Sequence, residues 1–318
     1  MKLRMKRVLI WTGTAAAVIA ILAGSLVWYA YHSAEKAANK MYENIDAVKP
    51  VYVSKDTTVT KNTKPAETKP IKNMAPFTVL VLGVDQRAND RGRSDTIIVL
   101  TVNPAKNSIL MFNIPRDTRT TIVGHGTVDK INHAYAFGGV PMSINTIENF
   151  IDYPIDYYVK VNMEGFSRLI DIVGGVEVDN PFAFDYIDHH FDQGHLQLNG
   201  DEALLYSRMR YDDPRGDFGR NTRQRDLLRG IMKNTMNISS ITHVNSLLRE
   251  LGDSVKTDIT FKEMKSFVAN YRPEINKIDT VEVQGKGQTI NKIWYYIVDD
   301  KERERVHALI KEHLQNGD

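Results

Sequence analysis

The sequence predicts an α/β protein, a three-layer α-β-α sandwich around a central mixed sheet, preceded by one transmembrane helix. Three observations predict it. Short apolar, β-branched runs are bounded by Asp, Asn, Gly and Pro, the signature of buried strands. Helical patterns interleave with these runs, which places helices on both faces of one sheet. A long uncharged run stands near the N-terminus.

That run comes first in the chain. Lys2, Arg4, Lys6 and Arg7 precede it, and no charged residue occurs from Val8 to Ala30. As a helix rising ~1.5 Å per residue it crosses a ~30 Å hydrocarbon core. Trp11 lies near one end and Trp28, Tyr29 and Tyr31 at the other, as expected of rings at two membrane interfaces. A cleaved signal peptide is the alternative, but its apolar region is usually ~7–15 residues. The segment therefore reads as an uncleaved signal anchor. Basic residues concentrate on its N-terminal side, which keeps residues 1–7 cytoplasmic and places everything beyond residue 30 outside. An external domain has no access to cytosolic ATP or to the chromosome, so nucleic acid is excluded as a partner. Residues 31–76 read as a stalk. Residues 47–76 are rich in Thr, Lys and Pro, with Pro50, Pro65, Pro70 and Pro76 breaking any helix, and bury too little apolar surface to offset ordering. Residues 77–318 form one external domain.

Within it FTVLVLGVD, DTIIVLTVN and SILMFNIP read as three strands, and DYYVKVN as a fourth. Helices are expected from Pro141 to Ile151, from Met163 to Val173, over DEALLYSRMR and over RNTRQRDLLRGIMKNT. Further helices follow around His243–Leu251 and Phe261–Tyr271, strands at Thr280–Val283 and Ile293–Val298, and a terminal helix from Asp300.

Composition narrows the function. Lys and Arg number 41 against 39 Asp and Glu, a net +2, with 42% hydrophobic and 25% charged residues. This excludes wholesale disorder and a chain-wide polyanion-binding field. The absence of cysteine excludes a disulfide scaffold, cysteine nucleophiles and cysteine-based zinc sites.

Three segments could carry chemistry. In LGVDQRANDRGRSDT, Asp85 ends one strand and Asp95 opens the next, and an antiparallel hairpin would bring them together. Paired carboxylates hold a hard cation such as Mg²⁺ with phosphate oxygens completing its shell, or they pair with the loop arginines, Arg93 among them. In IPRDT, Arg116 and Asp117 stand at another strand end, where such a pair often stabilises a turn. The densest feature carries Arg208, Arg210, Arg215, Arg220, Arg223, Arg225 and Arg229, with Lys233 the one lysine between 201 and 240. Arginine in place of lysine suits bidentate phosphate recognition, and Arg220 and Arg223 open a helix. The alternative is an internal ion-pair network with Asp212, Asp213, Asp217 and Asp226. IDHHFDQGHLQL reads as a surface loop rather than a zinc site, QGKGQT lacks phosphate-loop spacing, and no GxSxG elbow occurs. His133 reads as a packed or capping residue rather than a base.

The blocks LGVD…RSDT, NIPRDT, DKINHAYAFGG, PIDYYVKVNMEGF, DIVGGVEVD, LNGDEALLYSRMR and GDFGRNTRQR, in this order, resemble the LytR–CpsA–Psr family of Gram-positive cell envelopes. The resemblance covers about residues 77–235 and implies a membrane-anchored, single-pass enzyme with an extracellular catalytic domain. It implies phosphotransfer of a glycopolymer, such as wall teichoic acid or capsular polysaccharide, from an undecaprenyl-pyrophosphate carrier to peptidoglycan. The acceptor is the C6 hydroxyl of N-acetylmuramic acid, and undecaprenyl phosphate is released. By the same resemblance Asp85 and Asp95 are the carboxylates associated with Mg²⁺, with Mn²⁺ as a substitute, and Asp85, Asp95 and Arg116 are catalytic. Arg93, Arg116, Arg208, Arg210, Arg220, Arg223 and Gln224 match the pyrophosphate-binding set. A non-catalytic carrier-binding scaffold and a pyrophosphatase are the competing readings; a transcriptional regulator conflicts with the external topology.

Overall fold

The computed structural model describes residues 21, 24–25, 27–45, 74–87, 90–237, 251–252 and 254–315. Most of the expected span at 8–30, the linker from residue 46 to 73 and all but Leu251 of the helix expected around His243–Leu251 lie outside the described residues. Among the described residues no helix is long and apolar enough to cross a membrane.

The core is a mixed six-stranded sheet. Strands β1 (Phe77–Arg87), β2 (Asp90–Asn103) and β3 (Ser108–Asn113) form an antiparallel meander. Next in the chain come β4 (Arg119–Ile122), β5 (Thr127–Lys130) and β6 (Tyr157–Asn162). A ribbon region follows with β7 (Val176–Asn180), β8 (Phe184–Tyr186), β9 (His189–Phe191) and β10 (Gly194–Leu198). The last strands are β11 (Val255–Thr257), β12 (Lys277–Glu282), β13 (Lys286–Ile290) and β14 (Ile293–Ile297). The main sheet runs β11-β6-β1-β2-β3-β12, with β6 parallel to β1 and β12 parallel to β3.

Helix α1 covers residues 27–41. It is followed by α2 (His133–Ile151), α3 (Met163–Ile172), α4 (Gly200–Arg208), α5 (Asp217–Asn237), α6 (Phe261–Ser266) and α7 (Asp300–Leu314). Strand alternation divides the sheet's side chains between two faces. Leu80, Leu82, Val84, Ile97 and Val99 pack against Ile144, Ile147 and Phe150 of α2 and Val306 and Ile310 of α7. Val79, Ile98, Leu100 and Met111 pack on the opposite side, with Leu228 and Met232 of α5 and Met264 of α6. Helices therefore cover both faces of a mixed sheet, as expected.

Several local expectations change. The second strand opens at Asp90 rather than Asp95. α2 begins at His133, with non-helical backbone at Gly138 and Gly139, so the helix expected from Pro141 is its second segment. IDHHFDQGHLQL is not a loop. It forms β9, β10 and the turn before them, and β10 pairs with β7. The first part of the expected linker is helical and docked: Ala34, Ala37, Ala38 and Met41, at helical spacing, are buried. Met41 packs with Leu251 and Val255, and the Glu43 N–H donates to the Thr257 carbonyl at 2.8 Å.

Candidate active site

The site lies where the end of β3 and the start of α5 meet the β1–β2 hairpin. The hairpin is irregular where it matters. Gly83 faces Thr96 and Val84 faces Ser94, so Asp95 is the extra residue of a β-bulge. A bulge re-aims the side chain it carries, and here it presents Asp95 to Arg116. Asp85 faces Arg93 across the same hairpin. The two aspartates thus share one hairpin without being direct register partners.

Arg116 follows the buried strand β3 and the buried Ile114. Its Nη1 donates to Asp95 Oδ1 at 2.7 Å. Its Nε lies 3.7 Å from Asp117 Oδ2 and 4.0 Å from Asp217 Oδ1. Asp217 opens α5 and lies 2.5 Å from Arg220 Nη2. Lys130 Nζ closes the group on Asp117 at 2.6 Å. Two arginines thus share three carboxylates at the mouth of the sheet.

Their pairing is incomplete. Arg116 Nε, Arg220 Nε and Nη2, Asp217 Oδ1 and Gln224 Oε1 are buried without an aligned hydrogen-bond partner. Close Arg220–Asp217 contact without alignment satisfies charge but not hydrogen-bond direction. Buried donors left this way cost free energy unless something else meets them. The charges agree. Burial lowers the Arg220 guanidinium below its ordinary value, and Arg116 and Arg210 add to the shift against Asp217 and Asp95. Burial also opposes charge on Arg116, but Asp95, Asp217 and Asp117 outweigh it and hold that group above its ordinary value. Desolvated guanidinium donors without full partners are suited to an anion with several oxygens.

The remaining arginines divide by environment. Arg210 stacks 4.4 Å over the exposed Tyr211 ring and, through its charge, reaches Arg220. Arg208 ends α4 exposed, and Arg93 is exposed on β2. Arg223 does not join the unsatisfied set. Its side chain is 3% exposed and its Nη1 donates to Asp213 Oδ2 at 2.6 Å. Its Nε and Nη2 donate to the Tyr206 and Met209 carbonyls at 3.1 and 2.5 Å. Arg225 Nη2 meets Glu282 at 2.8 Å. The cluster is therefore an ion-pair network at one end and an anion-facing group at the other. Asp217 stood in the sequence only as a network member, and Lys130 carried no signal beyond its place in DKINHAY.

Asp85 and Asp95 offer hard oxygen donors, and among the described residues no group of three or more His, Asp or Glu forms a metal cage. Two carboxylates suit Mg²⁺, which commonly takes one or two and fills its shell with phosphate oxygens and water.

Comparison with known proteins matches these residues to a group. The LytR_cpsA_psr family model matches residues 28–312. The polyisoprenyl-teichoic acid–peptidoglycan teichoic acid transferase TagU of Halalkalibacterium halodurans is 45% identical over 313 residues, covering 98% of this chain and 99% of that protein. The crystal structure of B. subtilis TagU is 44% identical, with a TM-score of 0.63, covering 76% of this chain and 98% of that one. TagT bound to LIIa-WTA superposes with a TM-score of 0.67 at 25% identity, covering 83% of this chain and 99% of that one.

Proposed function

The chain belongs to the LytR–CpsA–Psr family, and from that premise we propose that it transfers a teichoic acid from a polyprenyl-pyrophosphate carrier to peptidoglycan, releasing undecaprenyl phosphate. The observation that carries this reading is the buried, incompletely paired Arg116–Arg220 group. It supplies cationic donors for a pyrophosphate and leaves them unmet in the protein alone.

The chemistry follows from charge. An acceptor hydroxyl oxygen attacks the phosphorus that bears the polymer; the bond to the bridging oxygen breaks; the polyprenyl phosphate leaves with that oxygen. Negative charge grows on the bridging and equatorial oxygens, and fixed guanidinium groups stabilise it without reorganising. Arg116 is held by Asp95, Asp117 and Asp217, and Arg220 by Asp217, so both arrive oriented. Arg210, with Arg208 and Arg93 further out, adds positive field toward the entering donor. Gln224, on the same face of α5 as Arg220, offers a buried amide oxygen. Arg223 supports this face by fixing the α4–α5 junction. Asp85 and Asp95 would hold Mg²⁺, which when bound neutralises phosphate charge. The acceptor is the C6 hydroxyl of N-acetylmuramic acid, and residues 8–30 anchor the domain outside the cell membrane, beside its lipid-linked donor. The family membership and the charge-free N-terminal run support these finer assignments.

The test is reconstitution with lipid-linked teichoic acid, peptidoglycan and Mg²⁺. Arg116→Ala and Arg220→Ala should each slow attachment by about 10²–10³-fold, as loss of a donor to developing oxyanion charge does. Free polyprenyl phosphate should appear in step with attached polymer. Its release without attachment would mean water is the acceptor and the transferase reading is wrong.

A further inference from the structure

The transfer needs a base for the acceptor hydroxyl, and the carboxylates around Arg116 are committed. Asp95 accepts from Arg116 at 2.7 Å, Asp117 from Lys130 at 2.6 Å, and Asp217 lies 2.5 Å from Arg220. Each of these carboxylates already spends an oxygen on a fixed cation.

Beside this group stands a different arrangement. His133, the first residue of α2, has Nδ1 at 2.8 Å from Asp129 Oδ2. Asp129 also accepts from the Lys130 N–H at 2.7 Å and faces the Tyr295 hydroxyl at 3.5 Å. Burial would raise this carboxyl, but the bonds from His133, the Lys130 peptide and Tyr295 outweigh it and hold it below its ordinary range. An ionised Asp129 accepts a hydrogen bond from Nδ1–H, which leaves the lone pair on Nε2. That atom has no hydrogen-bond partner among the described residues, and the side chain is 24% exposed. The dyad is tied to the arginine site through its backbone. The N–H of Asn132, next to His133, donates to the Arg116 carbonyl at 3.2 Å, and Lys130, next to Asp129, holds Asp117. One turn along α2 the Phe137 ring, 38% exposed, stacks on His125 at 3.9 Å and 9° and lies 6.0 Å from His133. A flat, partly exposed ring beside a base is a platform for the apolar face of a sugar.

We infer that His133, oriented by Asp129, is the general base that deprotonates the acceptor hydroxyl of the glycan, which lies over Phe137. This rests on the transferase reading above. In the step His133 Nε2 takes the hydroxyl proton as the oxygen forms its bond to phosphorus, and the polyprenyl phosphate departs with the electron pair of the broken P–O bond. The imidazolium then returns its proton to solvent. The charged and titratable groups around the dyad are Lys130, on β5 with Asp129; Tyr295 on β14, with Arg119 of β4 5.8 Å from its ring centre; and His125, across Phe137.

The test uses the full chain with lipid-linked donor and a peptidoglycan glycan, measured in single turnover alongside donor binding. His133→Gln should slow transfer about 10²–10⁴-fold, the usual contribution of a general base, with donor affinity unchanged. Asp129→Asn, which keeps the side chain's shape, should slow transfer without weakening donor binding. Added imidazole should restore part of the rate of His133→Ala. Wild-type rates in His133→Gln or Asp129→Asn, or losses of transfer matched by losses of donor binding, overturn the inference and leave the transferase reading intact. Absence of transfer by the wild-type protein overturns the transferase reading instead.

Discussion

Arg220 and Arg223 lie three residues apart on one helix and do opposite things. Arg220 is left with unaligned donors at the mouth of the sheet, whereas all three donor groups of Arg223 are engaged inside the α4–α5 junction, with its guanidinium 5.5 Å from the Phe184 ring centre. Its partner Asp213 leaves no room: a Cβ on Gly219 would come within 1.6 Å of Asp213 Oδ2. Removing one member of a buried ion pair strands the other. Arg223→Ala should therefore cost about 3–5 kcal/mol and lower the melting temperature, measured by thermal denaturation. Arg116→Ala should instead lose activity with a smaller drop in melting temperature, since its partner Asp95 is partly exposed and Asp117 and Asp217 keep Lys130 and Arg220. Gly219→Ala should destabilise by displacing Asp213. The arginine bias was legible in the sequence as an anion site. Which arginine faces the anion was not, because that depends on burial and on carbonyls from α4 that spacing does not reveal.

At the scale of elements, the C-terminal end of α7 is pinned to the sheet by an imidazole, beyond the packing of Val306 and Ile310. His313 Nδ1 meets Thr101 Oγ1 at 2.7 Å, and Nε2 meets Ser108 Oγ at 2.9 Å. Burial lowers its pKa, with Lys106 and Lys277 adding to the shift and Asp279 opposing it. A group lowered in the folded state binds its proton more readily when unfolded, so stability rises with pH across the gap between the two values. The stabilisation is full above the unfolded histidine value of ~6.5 and is lost as pH falls through the lower folded value. Amide exchange along α7 should accelerate on acidification, and His313→Gln should flatten that response. Elements with long apolar runs, such as β1, β2, β3 and β6, were readable from periodicity. The paired ribbons β4–β5, β7–β10 and β8–β9 were not. They are three to five residues long and most of their exposed positions are polar, so partner strands rather than local pattern define them. The bulge at Asp95 escaped for a related reason: a register shift belongs to two strands at once.

At the scale of the molecule, the domain begins earlier than its composition suggests. α1 seats Met41 against Leu251 and Val255, and Ile45 enters the core with Leu80 and Tyr158. A chain starting at residue 46 should melt at lower temperature than the full chain, and Met41→Ala should cost about 2 kcal/mol, the low end for a buried methionine. The sheet order also governs how the chain can assemble. β3 (Ser108–Asn113) has β2 on one side, and among the described residues its other edge is covered by β12 (Lys277–Glu282). Until residue 282 is available, a strand buried at every position in the folded protein therefore presents unpaired N–H and C=O groups, a template for another copy of itself. Such distant pairing is slow to form. A chain truncated after Asn276 should aggregate through the Ser108–Asn113 edge, measured by sedimentation, and Met111→Lys should suppress that aggregation. For a chain that emerges N-terminus first, the last third carries the strand that ends the period of greatest exposure to misassembly.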